Sequence, residues 1–202
     1  YNSNLSRTEL KGKKLFDYLP QFKDWLMCAS IDGTGEIVEF IRKEIVWEQW
    51  LENFKEGLAA PGGKDKMLFD LTITGPGMFS IKDLFDLSLE LDVRIETKIM
   101  FAFHPDIIFS PFAWPKHILV RKIDELLEYM EPLATHKQFT LINTLKEMRN
   151  RPSFEEEYPE QFVQGKKNGK GFQDRLDEIR DEKITIADIY KADDELYEWW
   201  TK

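Results

Sequence analysis

The sequence predicts an α/β fold built on parallel strands, followed by a mostly helical C-terminal extension. Three observations carry this. Apolar runs alternate with helix-period segments between residues 25 and 103, the pattern of βαβ crossovers and a parallel sheet. The runs at 25–31 and 67–74 are too short for helices and suit strands. From Pro115 onward the apolar spacing is helical, and from Glu155 the chain is charged.

Each element follows from local signals. Residues 1–6 read as the end of a strand with Asn4 at its mouth. Ser6 or Thr8 can cap a helix with Leu10, Leu15 and Phe16 inward, ended by Pro20. The run 25–31 is apolar enough for a strand buried on both faces. Gly33-Thr34-Gly35 is a turn, and Thr34 or Gly35 starts a helix with Ile37, Phe40 and Ile41 inward. Residues 46–58 form a longer helix with Trp47, Trp50, Leu51 and Phe54 on one face. Residues 61–65 (PGGKD) form a surface loop. The strand 67–74 is broken by Gly75-Pro76-Gly77, and Ser80 can cap a helix to about residue 91. A further strand spans 93–103, then an irregular aromatic connection holds His104-Pro105 and residues 110–115. Pro115 opens a helix whose periodic part is 118–130, and Pro132 ends it. Residues 139–148 form another helix, and the chain from 155 onward is charged and mostly helical. The terminal Leu196-Tyr197-Glu198-Trp199-Trp200 is suited to docking on the exterior.

The 202 residues allow a sizeable core of one or two domains, and 15 Phe with 6 Trp make it aromatic. A net charge of -9 argues against nonspecific nucleic-acid binding, which needs a positive face. The one basic, glycine-rich run, residues 165–171 (GKKNGKG), reads as a solvated loop. A single cysteine excludes an intramolecular disulfide and leaves Cys28 as a small hydrophobe inside a strand. No apolar run reaches the roughly 18 residues of a membrane span. The expected compartment is cytoplasmic, with no membrane partner.

Ser30 and Asp32 share one side of their strand and sit at its carboxyl end, where parallel sheets bind ligands. A hydroxyl and a carboxylate there suit a ribose or another polyol. The competing roles are backbone bonding by Ser30 and helix capping by Asp32. Asn4 reaches the same cavity or serves its own turn. Arg42 pairs with a ligand carboxylate or makes a structural salt bridge. Thr72 and Thr74 share a strand face and either line the pocket or pack internally. Glu96 and Lys98 also share a face, toward a ligand or toward a polar edge. His104 lies at a predicted strand end; His117 and His136 are surface residues, too scattered for a metal site.

The stretch from Ser30 to Asn53 resembles the middle of radical S-adenosylmethionine (radical SAM) enzymes of the twitch-type subgroup. Ser30-Ile31-Asp32-Gly33 matches that family's S-(I/L)-D-G strand end. Glu36 through Ile41-Arg42 matches its E-x-x-x-x-(I/Y)-R helix, and Trp47 to Asn53 its W-x-x-x-x-x-N. Ser3-Asn4-Leu5-Ser6 is similar to the family's T-N-L-S, with serine for threonine. The 109–115 loop keeps the proline spacing of the element after its sixth strand, and 173–188 is similar to its closing D-x-x-R-x-x-x-x-x-D. The likeness covers residues 1 to about 118 and, more loosely, the tail.

This resemblance implies a partial (β/α)6 barrel, with residues 1–114 as its C-terminal portion and 115–202 as the helical extension. It implies S-adenosylmethionine and a four-iron four-sulfur cluster as cofactors, and reductive cleavage to a 5′-deoxyadenosyl radical. Ser30, Asp32, Asn4, Thr72, Thr74 and Arg42 become the cofactor-binding candidates. The substrate implied by the twitch-type likeness is a peptide, protein or other macromolecule. One cysteine cannot supply the C-x-x-x-C-x-x-C cluster loop. The chain, opening on Tyr1, is therefore expected to be part of a longer enzyme, inactive without that segment, or a degenerate copy. The alternative is a catalytically inactive α/β binding or scaffold module. An ordinary barrel hydrolase or transferase ranks last, for want of a nucleophile–base pair.

Overall fold

Four parallel strands form the sheet in the computed structural model of the chain, which describes residues 1–101, 106–180 and 184–202. They are β1 (Asn2–Ser3), β4 (Met27–Ile31), β5 (Met67–Ile73) and β6 (Arg94–Ile99). Their order in the sheet is their order in the chain, so the winding never reverses. Between β1 and β4 lies a small antiparallel hairpin, β2 (Glu9–Leu10) and β3 (Lys13–Lys14). A helix with Leu10 inward is expected there; instead Lys11 (φ 53°) and Gly12 (φ 73°) make a two-residue turn with both φ positive. That geometry joins antiparallel strands. The helix is reduced to α1 (Leu15–Tyr18), and Leu10 is exposed.

The sheet has two unlike faces. Ala29, Ile31, Phe69, Leu71, Ile73 and Ile95 point one way and are fully buried. Helices α2 (Gly35–Ile41), α3 (Trp47–Ala59) and α4 (Ile81–Glu90) form the crossovers. Trp50 and Phe54 of α3 meet Phe69 at ring-centroid distances of 5.7 and 4.7 Å. The opposite face carries Cys28, Ser30, Asp70, Thr72, Glu96 and Lys98, all half-buried or exposed. Burial of β4 on both faces is thus corrected to burial on one. Its continuous apolar look comes from Cys28 and Ala29, which fit either environment.

The rest of the chain is helical: α5 (Lys116–Met130), α6 (Phe139–Asn150), α7 (Phe154–Glu157), α8 (Pro159–Arg180), α9 (Ile186–Tyr190) and α10 (Asp194–Thr201). Thr144 of α6 bonds Thr97 of β6 at 2.6 Å, on the helix-covered face. Buried residues form a continuous core from Leu5 to Trp200. The tail docks as expected, with Tyr190 edge-on to both Trp114 and Trp200.

The glycine-rich run 165–171 is a correction. It lies within α8 rather than in a loop. Lys166 and Lys170, one turn apart, donate to the carbonyls of Trp199 and Trp200 at 2.9 and 3.0 Å. Their ammonium groups also stand over those indole rings, at 3.9 and 5.5 Å. Cations at the carbonyl end of α10 complement its dipole and cap its last turn. Burial pushes the Lys166 ammonium below its ordinary range. Tertiary contacts therefore hold a helix that its glycines disfavour. Gly171 has nothing within 4 Å of an added Cβ. Gly171→Ala is expected to stabilise the fold by roughly 0.5–1 kcal/mol, read as a higher urea midpoint.

Helix α9 opens on a reciprocal cap. The Thr185 hydroxyl accepts from the Asp188 amide, and the Asp188 carboxylate accepts from the Thr185 amide and hydroxyl. Lys191, 2.6 Å away, and these donors hold the Asp188 carboxyl down to about 2. A lowered folded-state pKa means the contribution is present above the unfolded value near 4 and is lost as pH falls through about 2. The side chains are 57% and 42% exposed, so the effect stays below about 1 kcal/mol. The stability advantage over Asp188→Asn is expected to shrink between pH 6 and pH 2 in parallel denaturation curves.

Candidate functional site

Strand register places the polar side chains in rows. Ser30, Asp70 and Glu96 are abreast on β4, β5 and β6, and Thr72 and Lys98 form the next row. Asp32 and Thr74 each lie one residue past the last paired residue of their strands. The rows end in a cleft of about 440 Å³ at the carboxyl ends of the strands. Asp32, Arg42, Thr72 and Thr74 line it from the sheet side, and Phe172, Gln173, Leu176 and Arg180 of α8 face them. A larger groove of about 520 Å³ lies between the β2–β3 hairpin and α3. It is a mixed-charge surface gap bridged by Lys14–Glu56 at 2.7 Å.

Four of the six predicted residues meet in the cleft. Asp32 and Arg42 meet as partners: Arg42 Nε and Nη2 donate to the two carboxylate oxygens at 2.5 and 2.9 Å. A forked pair of this kind is the strong form of a charge-assisted bond. Asp32 does not cap α2; Thr34 occupies that position. The structural alternative thus holds for Arg42, while each Asp32 oxygen keeps a further lone pair toward the cleft. The Thr74 hydroxyl accepts from the Gly77 amide at 3.0 Å and is buried. Thr72 is half-buried, and no described residue bonds its hydroxyl.

Ser30 and Asn4 stand outside this cleft. The Ser30 hydroxyl donates to Asp70 Oδ2 at 3.4 Å, and Lys98 Nζ reaches the same oxygen at 2.7 Å. Glu96 is paired with Arg94 at 3.2 Å, so both members of the Glu96–Lys98 couple face the polar side and are matched. Asn4 Oδ1 accepts from the Ser6 amide and hydroxyl, which is the turn role. His117 bonds Glu195 at 2.7 Å, His136 is exposed, and His104 lies outside the described residues.

Five residues take roles in the site that the sequence does not disclose. Asp70 joins Ser30 to Lys98; its signal is the polar interruption of an apolar strand two residues before Thr72. Asn53, buried on α3, donates to the Leu5 carbonyl at 2.6 Å and accepts from Thr8 at 3.1 Å. It pins the loop after β1, where Leu5 holds a left-handed φ of 48° while fully buried. Ser80 stitches the two strand-end loops, accepting from the Thr34 amide at 3.2 Å and donating to the Gly77 carbonyl at 3.1 Å. Gln173 and Arg180 come from far along the chain and are placed by the path of α8.

No family model, curated protein or solved structure matches the chain. The cleft must therefore be judged on its chemistry. Among the described residues, no group of three or more His, Cys, Asp or Glu side chains is arranged to hold a metal ion. Cys28 is the chain's one cysteine and stands half-buried on the polar face. One thiolate does not fit a four-iron cluster, so this chain's residues do not form that site. Hydroxyls, a paired carboxylate and an apolar wall do fit an organic ligand with polar substituents. No described helix is long and apolar enough to cross a membrane.

Proposed function

We propose that this chain is the C-terminal portion of a radical SAM enzyme, with its strand ends forming part of the cavity for S-adenosylmethionine and a peptide or protein substrate. The observation that carries the reading is the unreversed strand order with Ser30, Asp32, Thr72 and Thr74 on one polar side of the sheet. An unreversed run of parallel strands is compatible with an arc of a barrel, and equally with one half of a doubly wound sheet. The S-I-D-G segment falls at the carboxyl end of β4, where ligands bind in such folds.

In this reading a bound S-adenosylmethionine would supply carbon-radical chemistry, and no residue of this chain would hold the cluster. The chain's own residues supply position. Thr72 offers a hydroxyl donor and Asp32 its remaining lone pairs to ligand hydroxyls. Arg42 fixes the Asp32 carboxylate, so that acceptor is preorganised rather than mobile. Phe109, Phe172 and Leu176 give one side of the cleft an apolar surface. The cluster would be held by cysteines outside these residues.

A second reading has its own support. The polar face is largely self-paired, through Asp32–Arg42 and Ser30–Asp70–Lys98. Such internal pairing suits an inactive binding or scaffold module. The deciding experiment reads the coding sequence preceding Tyr1 and expresses the longer chain anaerobically. A C-x-x-x-C-x-x-C loop, bound iron and a visible absorption band perturbed by S-adenosylmethionine are expected. A longer chain lacking both the cysteines and iron overturns the enzyme reading and leaves the binding module.

A further inference from the structure

We propose that the cleft beneath α8 binds an oxyanion group of the substrate, a carboxylate or a phosphate, with Arg180 as its cationic contact. The inference begins from charge matching inside the cleft. Two guanidinium groups line it, and one carboxylate. Arg42 is engaged by both oxygens of Asp32. Lys98, on the adjoining polar face, is engaged by Asp70 at 2.7 Å. Arg180, at the last turn of α8, has no ion-pair or hydrogen-bond partner among the described residues. Among the described residues that line the cleft, this leaves one positive charge unmatched, on a chain whose net charge is -9.

The neighbouring groups suit the same ligand. The Thr72 hydroxyl is without a described partner and can donate to an oxyanion. Gln173 is 3% exposed, and its amide nitrogen is turned to Asp177 on the same helix. That contact keeps Asp177 bonded along α8. Phe172 and Leu176, on the same helix as Arg180, and Phe109 add apolar surface to the cleft. Phe172 is 41% exposed. An apolar body with an anionic end would cover Phe172 and meet the guanidinium, whose planar fork matches carboxylate and phosphate alike. Among the described lining residues the one carboxylate, Asp32, is already paired with Arg42, so a cationic ligand would meet Arg180 unscreened by it.

The inference rests on the reading of this cleft as the substrate end of the enzyme cavity, yet its test is separate. Binding is followed on the 202-residue chain by amide chemical shifts, with no iron or S-adenosylmethionine present. The probes are 3-phenylpropionate, phenyl phosphate, 2-phenylethanol and 2-phenylethylamine. The two anions are expected to bind more tightly than the alcohol and the amine, shifting amides near Thr72, Thr74 and Phe172. The tighter anion identifies the oxyanion as carboxylate or phosphate. Arg180→Gln is expected to weaken the anions about five- to tenfold and leave the alcohol unchanged, as for loss of a partly exposed charge-assisted bond. Arg180→Lys should keep part of the preference. Equal binding of amine and anions, shifts confined to other basic surfaces, or an anion preference that survives Arg180→Gln would overturn the proposal. None of those outcomes bears on whether a longer chain holds a cluster, and a missing cluster would not remove the anion preference.

Discussion

Gly77→Ala is expected to be among the most damaging single-methyl additions in this chain. A Cβ at Gly77 would stand 2.4 Å from the Asp32 backbone oxygen and 2.6 Å from Thr74 Oγ1. The first of these is main chain and cannot rotate away. Relief requires the loop after β5 to part from the loop after β4. That motion also strains the Gly77 amide bond to Thr74 and the Ser80 bridge to the Thr34 amide. Overpacking and loop displacement of this kind cost about 2–4 kcal/mol. For a chain of this size that lowers Tm by roughly 5–15 °C. The cleft should suffer with the fold, because Asp32 and Thr74 are both cleft residues. Thermal denaturation checks the first effect, and Gly171→Ala, predicted to stabilise, is the matched control. A Gly77→Ala Tm equal to that of the parent would mean that the two loops are not in contact.

The contrast between those glycines shows what the sequence carries. Gly77 sits in a Gly-Pro-Gly break that marks a turn from sequence alone, and the break is present at Pro76–Phe79. What the sequence does not carry is that the turn lies against a loop 45 residues earlier. The strands and crossover helices were legible because their patterns are local: period two in β5, helical spacing in α3 and α4. The glycine-rich run of α8 was misread for the same reason. Its local propensity favours a loop, and the two indoles and two carbonyls that override it belong to residues about 30 positions away. Site residues divide likewise. Asp32, Thr72 and Thr74 were readable because strand ends in parallel sheets converge. Arg180 was not, because nothing local says that α8 returns across the strand ends. Asn53 is legible as a motif residue, but its work, holding Leu5 in a left-handed conformation, appears only when β1 is docked.

Asp32→Ala is expected to destabilise the fold, and to do so through Arg42. The Asp32 side chain is 8% exposed and that of Arg42 28%, so the pair is neither a surface bridge nor fully enclosed. Removing one member of a buried pair costs about 3–5 kcal/mol, because the other charge is left without compensation. Partial solvation of Arg42 reduces this to roughly 1.5–3 kcal/mol here. Arg42→Ala should cost at least as much, since the stranded carboxylate is the more deeply buried partner. The double variant should cost less than the sum of the two, with a coupling of about 1–3 kcal/mol in a double-mutant cycle. Additive effects would mean that the fork seen between the two side chains contributes nothing in solution. The cycle also separates the two functional readings. If the pair exists to preorganise Asp32 as a ligand acceptor, Arg42→Met should lower ligand affinity by more than its stability loss explains. If the pair is only a clasp between the β4 end and the end of α2, any variant that restores stability should restore binding as well. Measuring both quantities on the same variants ties the strongest ion pair of the cleft either to recognition or to architecture.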